Sequence, residues 1–266
     1  IYMGDWSSDV CSSDLLLPGE CLVCQTMLGA AEWDAPICSL CRSRWRRLPP
    51  PLCDRCGQPN DVGSCRFCAE WPHELERVRS AVWFDGPARD AVHRLKYGGW
   101  PRAAEPMAQA MRGLAPLEPG VVLVPIPLGK RRLRSRGYNQ ADVLARALGA
   151  VTGLRVGREL LQRVRETTTQ TALTPSERLA NVTDAFQAGD GTSGEAGKSD
   201  RSGESITAHH ARPVRPARLG HFVLVDDVCT TGATLIAAAS ALVAQGASRV
   251  EAVTFARAPL PVVGAA

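Results

Sequence analysis

A chain of 266 residues that is 45% hydrophobic and 22% charged can bury one sizeable globular core and a small second one, which excludes a disordered or fibrous polypeptide. Its formal net charge of +4 is too small to identify a nucleic-acid binder by itself. The sequence has no run of about 18 apolar residues and no charged segment leading into an apolar one, so neither a membrane span nor a secretory signal is predicted, and a cytoplasmic location is expected.

The opening stretch "IYMGDWSSDVCSSDL" has no Met at its first position and resembles adapter-derived sequence. Residues 1–17 therefore read as a non-native leader, and residues 1–14, Cys11 among them, carry no expectation about the fold.

Residues 18–70 hold four Cys-x-x-Cys pairs: Cys21 and Cys24, Cys38 and Cys41, Cys53 and Cys56, Cys65 and Cys68. In a reducing compartment such spacing belongs to metal knuckles more than to disulfides. Each pair turns two thiolates toward one ion, and two pairs complete the Cys₄ tetrahedron that structural zinc prefers, so two zinc ions are expected. Sequential pairing of the knuckles is the arrangement expected, with an interleaved cross-brace as the alternative. Few large apolar residues lie between the pairs, chiefly Trp33, Ile37, Trp45, Leu48 and Leu52, so metal must supply much of this segment's folding energy while the rest of the chain stands without it. Arg42, Arg44, Arg46 and Arg47 surround Trp45. Such a basic edge is a solvated face, or a surface on which single-stranded nucleic acid could stack.

From residue 77 the composition changes. Val78, Val82 and Phe84 alternate as in a half-buried strand. "PARDAVHRLKYGG" then predicts a helix with Pro87 in its first turn, an apolar face of Ala88, Ala91, Val92 and Leu95, and Gly98 at its end. His93 and Lys96 fall on another face, and no nearby carboxylate completes a dyad with His93.

Val121 to Val124 form a continuous apolar strand, as found when both faces of a parallel sheet are covered, and Pro125 and Pro127 stop it. The basic run Lys130, Arg131, Arg132, Arg134 and Arg136 would repel itself within a strand and is placed on a loop. Helix periodicity resumes through Val143, Leu144, Ala147 and Leu148. A cationic loop at the carboxyl end of a parallel strand favours a phosphorylated or pyrophosphate-bearing ligand, although a solvated charge cluster would read the same way.

Residues 188–217 lie within "AGDGTSGEAGKSDRSGESITAHHARPVRPARLG", which has almost no apolar periodicity and is predicted to be a disordered insertion; its His209 and His210 are a poor metal site without further ligands.

"FVLVDDVCTTGAT" repeats the strand-to-helix design: Phe222 to Val225 as strand, Asp226 to Ala233 as loop, then a helix with apolar Leu235, Ala238, Leu242 and Val243 ended by Gly246, and a last strand from Val250 to Ala256. Amides at that helix start, the hydroxyls of Thr230, Thr231 and Thr234, and the bare backbone of Gly232 make a monophosphate cradle. Asp226 and Asp227 precede it, where they can accept hydrogen bonds from the hydroxyls of a sugar whose phosphate fills the cradle.

This stretch resembles the phosphoribosyl-pyrophosphate signature of type I phosphoribosyltransferases. With "WFDGPARDAVHRLKYGG", "VPIPLGKRRLRSRGYNQA", "RETTTQTALTPSERLANVTDAF" and the cysteine pairs, residues 18–187 and 218–257 resemble the ComF family of competence-associated phosphoribosyltransferase-like proteins with an N-terminal double zinc ribbon. The resemblance implies an α/β fold, a twisted parallel sheet flanked by helices over residues 77–257, with a small hood and the ribbon module before it. It implies magnesium-assisted binding of phosphoribosyl pyrophosphate. Asp226 and Asp227 would be the catalytic pair on the ribose 2′ and 3′ hydroxyls, and Thr230, Thr231, Gly232, Ala233 and Thr234 would hold the 5′-phosphate. Residues 128–131 would be the pyrophosphate loop, with Lys130 and Arg131 as contacts and Arg134 and Arg136 nearby. Residues 163–178, with Thr169 and Gln170, would close over the ligand. A transferase, a DNA-handling module and a non-catalytic sensor of phosphoribosyl pyrophosphate all fit this resemblance. Single-stranded DNA, other competence proteins and a second copy of the chain are the partners it leaves open.

Overall fold

A computed structural model of the chain describes residues 19–60, 65–116, 118–165, 184–189 and 220–259. The leader, the closing segment with Thr169 and Gln170, and the insertion with His209 and His210 lie outside the described residues, although Ala188, expected to begin the insertion, belongs to a strand.

After a short helix α1 (Ser39–Ser43), the chain runs through β1 (Arg77–Trp83), α2 (Gly86–Tyr97), α3 (Ala104–Met111), β2 (Val122–Pro125), α4 (Lys130–Arg136) and α5 (Gln140–Thr152). Then follow β3 (Arg155–Val156), β4 (Leu161–Arg163), β5 (Phe186–Ala188), β6 (His221–Cys229), α6 (Ala233–Ala244) and β7 (Arg249–Arg257). Five strands form one parallel sheet in the order β1-β7-β6-β2-β3. Strands β4 and β5 make a separate antiparallel pair.

Side chains alternate across the sheet, and both faces are covered. Leu123, Val223, Val225 and Phe255 pack against α2, α3 and α5, while Val122, Val124, Leu224 and Ala252 pack against α6. This double burial explains why β2 and β6 read as continuous apolar runs. At the amino ends of the strands, buried Glu251 binds Arg249 at 2.7 Å, Arg77 at 3.3 Å and His221 at 3.6 Å. The arginine pairs tie β1 and β7 together, with His221 of β6 beside them, and leave the carboxyl ends for another use.

Helix α2 matches its expected span, and Ala88, Ala91, Val92 and Leu95 are all fully buried. Three expectations need correction. Strand β6 runs on to Cys229 because β7 pairs with it to that residue, so Asp226 and Asp227 lie within the strand. The basic run forms helix α4, not a loop; none of its side chains is buried, so its charges spread into water around a helix. In α5 the buried face is Ala141, Leu144, Ala145 and Leu148, with Val143 and Ala147 only partly covered.

The ribbon is continuous with the sheet domain. Ile37, Trp45 and the buried cysteines of its first half share one apolar cluster with α2, α3, Val82 and Phe255. The Trp45 ring meets Phe255 edge-on at 4.9 Å and is 9% exposed, which removes it from any role in stacking nucleic acid. Of its arginine neighbours, Arg46 is bound to Asp85 at the start of α2, Arg42 pairs with Glu32 at 3.2 Å, and Arg44 and Arg47 are exposed. Because the two parts share a core, the sheet domain does not stand apart from its metal module as the sequence suggests. Trp45→Ala should cost about 3–5 kcal/mol and lower a single calorimetric transition; two separate transitions would mean that ribbon and sheet unfold independently.

Candidate functional site

Strand β2 stops pairing with β6 at the level of Pro125 and Val225, so one edge of β6 is bare of strand partners where Asp226 and Asp227 stand. Two consecutive carboxylates of a buried strand need a cation and donors. Lys96, in the last turn of α2, supplies the cation: its Nζ lies 2.5 Å from Asp227 Oδ2, and the Asp227 side chain is 3% exposed. Gln140, the first residue of α5, donates from Nε2 to Asp227 Oδ1 at 3.4 Å, and its Oε1 accepts from Arg136 Nη1. The Arg136 guanidinium in turn lies 5.2 Å from the centre of the exposed Tyr97 ring.

The segment "GYNQA" builds this arrangement locally. Gly137, at φ 81°, ends α4 in the left-handed region that glycine tolerates. The Tyr138 hydroxyl donates to the Leu95 carbonyl and so joins α5 to the end of α2. Asn139 caps α5 by accepting from Ala141 N at 3.2 Å, and its Nδ2 donates to the Ile126 carbonyl at 3.0 Å. Gln140 is thereby aimed at the acid pair.

The two carboxyls have different environments. Burial, and next the charge of Asp227, push the Asp226 carboxyl well above the ordinary range. Burial also acts on Asp227, but the Lys96 ammonium outweighs it and holds that carboxyl below its usual value. Burial works against the charge on Lys96, and the Asp227 carboxylate overcomes it, so the lysine pKa rises. The two carboxyls are thus unequal: Asp226 holds a proton more readily than Asp227, whose Oδ1 accepts from Gln140 and whose Oδ2 faces Lys96.

Directly after β6, Thr230 and Thr231 lead into Gly232, whose φ of 83° requires glycine, and α6 begins at Ala233. Gly232, the N-cap of this helix, offers no side chain, and Thr231 Oγ1 accepts from the Ala233 amide at 3.5 Å, so a threonine hydroxyl and the first amides of α6 meet at the loop in the geometry that receives anions. The structure therefore brings Asp226, Asp227, Thr230, Thr231, Gly232, Ala233 and Thr234 to one strand-to-helix turn. Lys130, Arg131 and Arg134 project from α4 into solvent, on the segment between the end of β2 and α5. Arg136 points back to the acid pair through Gln140. Sequence reasoning missed Lys96 and Gln140, although both sit in stretches that carried the family resemblance.

The cysteines pair sequentially. The sulfurs of Cys21, Cys24, Cys38 and Cys41 lie within 4.8 Å of one another, as do those of Cys53, Cys56, Cys65 and Cys68. Individual separations of 3.8 Å (Cys24 to Cys38) and 3.6 Å (Cys53 to Cys68, and Cys56 to Cys65) match the roughly 3.8 Å between sulfurs of a tetrahedron with Zn–S near 2.3 Å. Backbone amides support the first set, with Cys38 N donating to Cys21 Sγ and Cys41 N to Cys38 Sγ, both at 3.4 Å. Hydrogen bonding with Thr26 brings the Cys24 thiol down to about 6. At Cys53 burial acts upward, but the Cys56 and Arg55 amides prevail and bring it to about 7. Each set therefore contains one thiol that ionises easily, while burial raises Cys38 and Cys41 in the first set and Cys56 and Cys68 in the second, groups that zinc would have to deprotonate. Among the described residues no other group of three or more such ligands is close enough to share an ion, and no helix is long and apolar enough to cross a membrane.

Comparison with known proteins agrees with this geometry. Residues 12–71 match the double zinc ribbon domain, and residues 134–261 match the phosphoribosyl transferase domain. The DNA utilization protein YhgH of Salmonella typhi is 30% identical over 246 residues, covering 89% of this chain and 96% of that protein. Competence protein ComFC of Bacillus subtilis is 26% identical over 248 residues, covering 85% and 89%. Competence protein F of Haemophilus influenzae is 24% identical over 225 residues, covering 81% and 87%. With two Cys₄ sites of zinc geometry joined to a parallel-sheet phosphoribosyltransferase domain, and with these relatives along nearly its whole length, the chain belongs to the ComF family.

Proposed function

We propose that this protein binds phosphoribosyl pyrophosphate at the carboxyl end of β6 and uses it in the handling of DNA. The observation that carries the reading is the single turn that joins two adjacent carboxyls, one of them held by Lys96, to a helix start whose N-cap is glycine and whose approach is lined with threonines. Asp226 and Asp227 hold the ribose 2′ and 3′ hydroxyls. The amides of Gly232, Ala233 and Thr234, with the hydroxyls of Thr230, Thr231 and Thr234, take the 5′-phosphate. Lys130, Arg131 and Arg134 meet the pyrophosphate, and Arg136 orients Gln140. The names of the relatives support the link to DNA, with single-stranded DNA and competence proteins as partners.

The donor set also fits magnesium of the kind that arrives with its ligand. Asp227 is already neutralised by Lys96, and two carboxylates alone are too few for a cage, whereas magnesium usually takes one or two carboxylates with substrate phosphates and water. Bound through the pyrophosphate, it would supply charge neutralisation to the leaving group. The residues do the rest by position: they hold the sugar so that C1 can be displaced, leave the negative edge of Asp227 near the ring where positive charge builds, and gather cations where pyrophosphate departs.

Calorimetry with phosphoribosyl pyrophosphate, with and without magnesium, tests the reading, and pyrophosphate release across a nucleobase screen tests turnover. Magnesium-dependent binding without release under any base would make the protein a sensor; no binding would reject the site. Asp226→Asn and Asp227→Asn should each weaken binding about tenfold, on the order of 1–2 kcal/mol. Thr231→Val should weaken ribose 5-phosphate and spare free pyrophosphate, and Arg131→Ala should do the reverse.

The lysine pairing gives a separate stability test. Lys96→Met strands Asp227 in the interior, whereas Asp227→Asn leaves a partly exposed ammonium that can turn to water. The first should therefore be the more destabilising, by up to about 3 kcal/mol in chemical denaturation. Equal costs would show that the pair is not the support of the acid site.

The acid pair also predicts a pH dependence. Because the folded pKa of Asp226 is raised, its contribution is complete below the ordinary carboxylate value of 3.8 and is lost as pH rises through the folded value. Asp226→Asn should remove this decline, so the gap in melting temperature between mutant and wild type should widen with rising pH above 3.8. A gap that does not change with pH would show that Asp226 is an ordinary, ionised carboxylate.

A further inference from the structure

The phosphate loop has a second neighbour besides its own helix. A Cβ placed on Gly232 would come 2.6 Å from Trp71 Cζ2 and 2.8 Å from its Cη2, so the indole rests directly on the loop glycine. Trp71 is held there by the second half of the ribbon. Its amide donates to the Cys68 carbonyl at 3.2 Å. Arg55, inside the Cys53–Cys56 knuckle, donates to the carbonyls of Cys68 at 3.2 Å, Trp71 at 2.8 Å and Pro72 at 2.5 Å. Phe67, between Cys65 and Cys68, meets the indole edge-on at 5.5 Å.

A second link reaches the same loop from below. Arg257, the last residue of β7, is 1% exposed. It donates to the Cys56 carbonyl at 2.8 Å and to Gln58 Oε1 at 2.6 Å, and lies 5.1 Å from the Phe67 ring centre. Its Nη1 is also 3.5 Å from the sulfur of Cys229, the residue immediately before Thr230. The first Cys₄ set makes no such approach: its buried cysteines pack with α2 and α3 on the other face of the sheet.

We propose that the second Cys₄ site is the mechanical support of the phosphate loop, with Trp71 and Arg257 as positioning residues, so that the metal state of that site sets the affinity for sugar phosphates. The proposal rests on the sugar-phosphate reading of the loop. With the knuckles closed on zinc, Trp71 keeps Gly232 in its left-handed conformation and fixes the direction of the first α6 amides, and Arg257 fixes the end of β6. When the knuckles open, both contacts lose their anchor while the acid pair keeps Lys96 and Gln140, which belong to other elements.

The test is calorimetry of the full chain with ribose 5-phosphate, alongside zinc content and melting temperature. Trp71→Ala should weaken binding about tenfold, the equivalent of one charge-assisted hydrogen bond to the phosphate, with both zinc ions retained, and Trp71→Phe should recover most of the loss. Cys65→Ser should weaken ribose 5-phosphate binding clearly more than Cys24→Ser, which deletes a ligand of the first site. Wild-type affinity in Trp71→Ala overturns the proposal, whether or not the cysteine variants fold. So does an equal loss in Trp71→Ala and Trp71→Phe, or in both cysteine variants. Failure of the unmutated protein to bind ribose 5-phosphate rejects the sugar-phosphate reading, and the proposal with it.

Discussion

Two carboxylates on consecutive residues of a covered strand repel each other and have left water, and the surroundings of the site answer that problem. The ammonium of Lys96 neutralises Asp227, burial and the neighbouring Asp227 charge raise the pKa of Asp226, and the amide of Asp227 itself donates to Asp226 Oδ1 at 2.9 Å. Once Lys96 must reach Asp227, the last turn of α2 is fixed over the end of β6. Once Gln140 must share the load, the start of α5 is fixed beside it, and the Tyr138 hydroxyl and Asn139 amide close the space between. The electrostatic requirement of the site thus sets the docking of two helices, and the apolar faces of those helices follow.

What could be read in the sequence was what local spacing records. The four Cys-x-x-Cys pairs, the face of α2 and the turn from Asp226 to Thr234 each lie within one element or one connection, where period and residue type carry the information. Lys96 was legible as helical and off the apolar face, but nothing local says that a residue 131 positions before Asp227 will meet it. Trp71 and Arg257 were illegible for the same reason. Trp45 was counted among the ribbon's core formers, and the stacking alternative fails because its arginine neighbours lie on the outer side of a turn whose inner side packs on Phe255. The basic run was read as loop because repulsion was weighed for a strand, whereas a helix separates the same charges radially.

The two halves of the ribbon consequently differ in their surroundings although their ligand sets are alike. The first half contributes to the hydrophobic core beside α2 and α3. The second half is attached mostly through arginines and carbonyl oxygens, contacts that depend on direction and so transmit position more faithfully than apolar packing does.

The order of the sheet carries a consequence for how the molecule is made. Strand β7 is the last among the described residues, yet it lies between β1 and β6, and it supplies Phe255 to Trp45, Arg257 to Gln58 and Thr254 to Ser80, whose hydroxyls meet at 2.7 Å. A polypeptide leaving the ribosome from its amino end exposes those earlier residues without their partners until β7 emerges. Over that interval the nascent ribbon has no sheet to lean on, and the availability of metal ions during translation decides whether it keeps its shape.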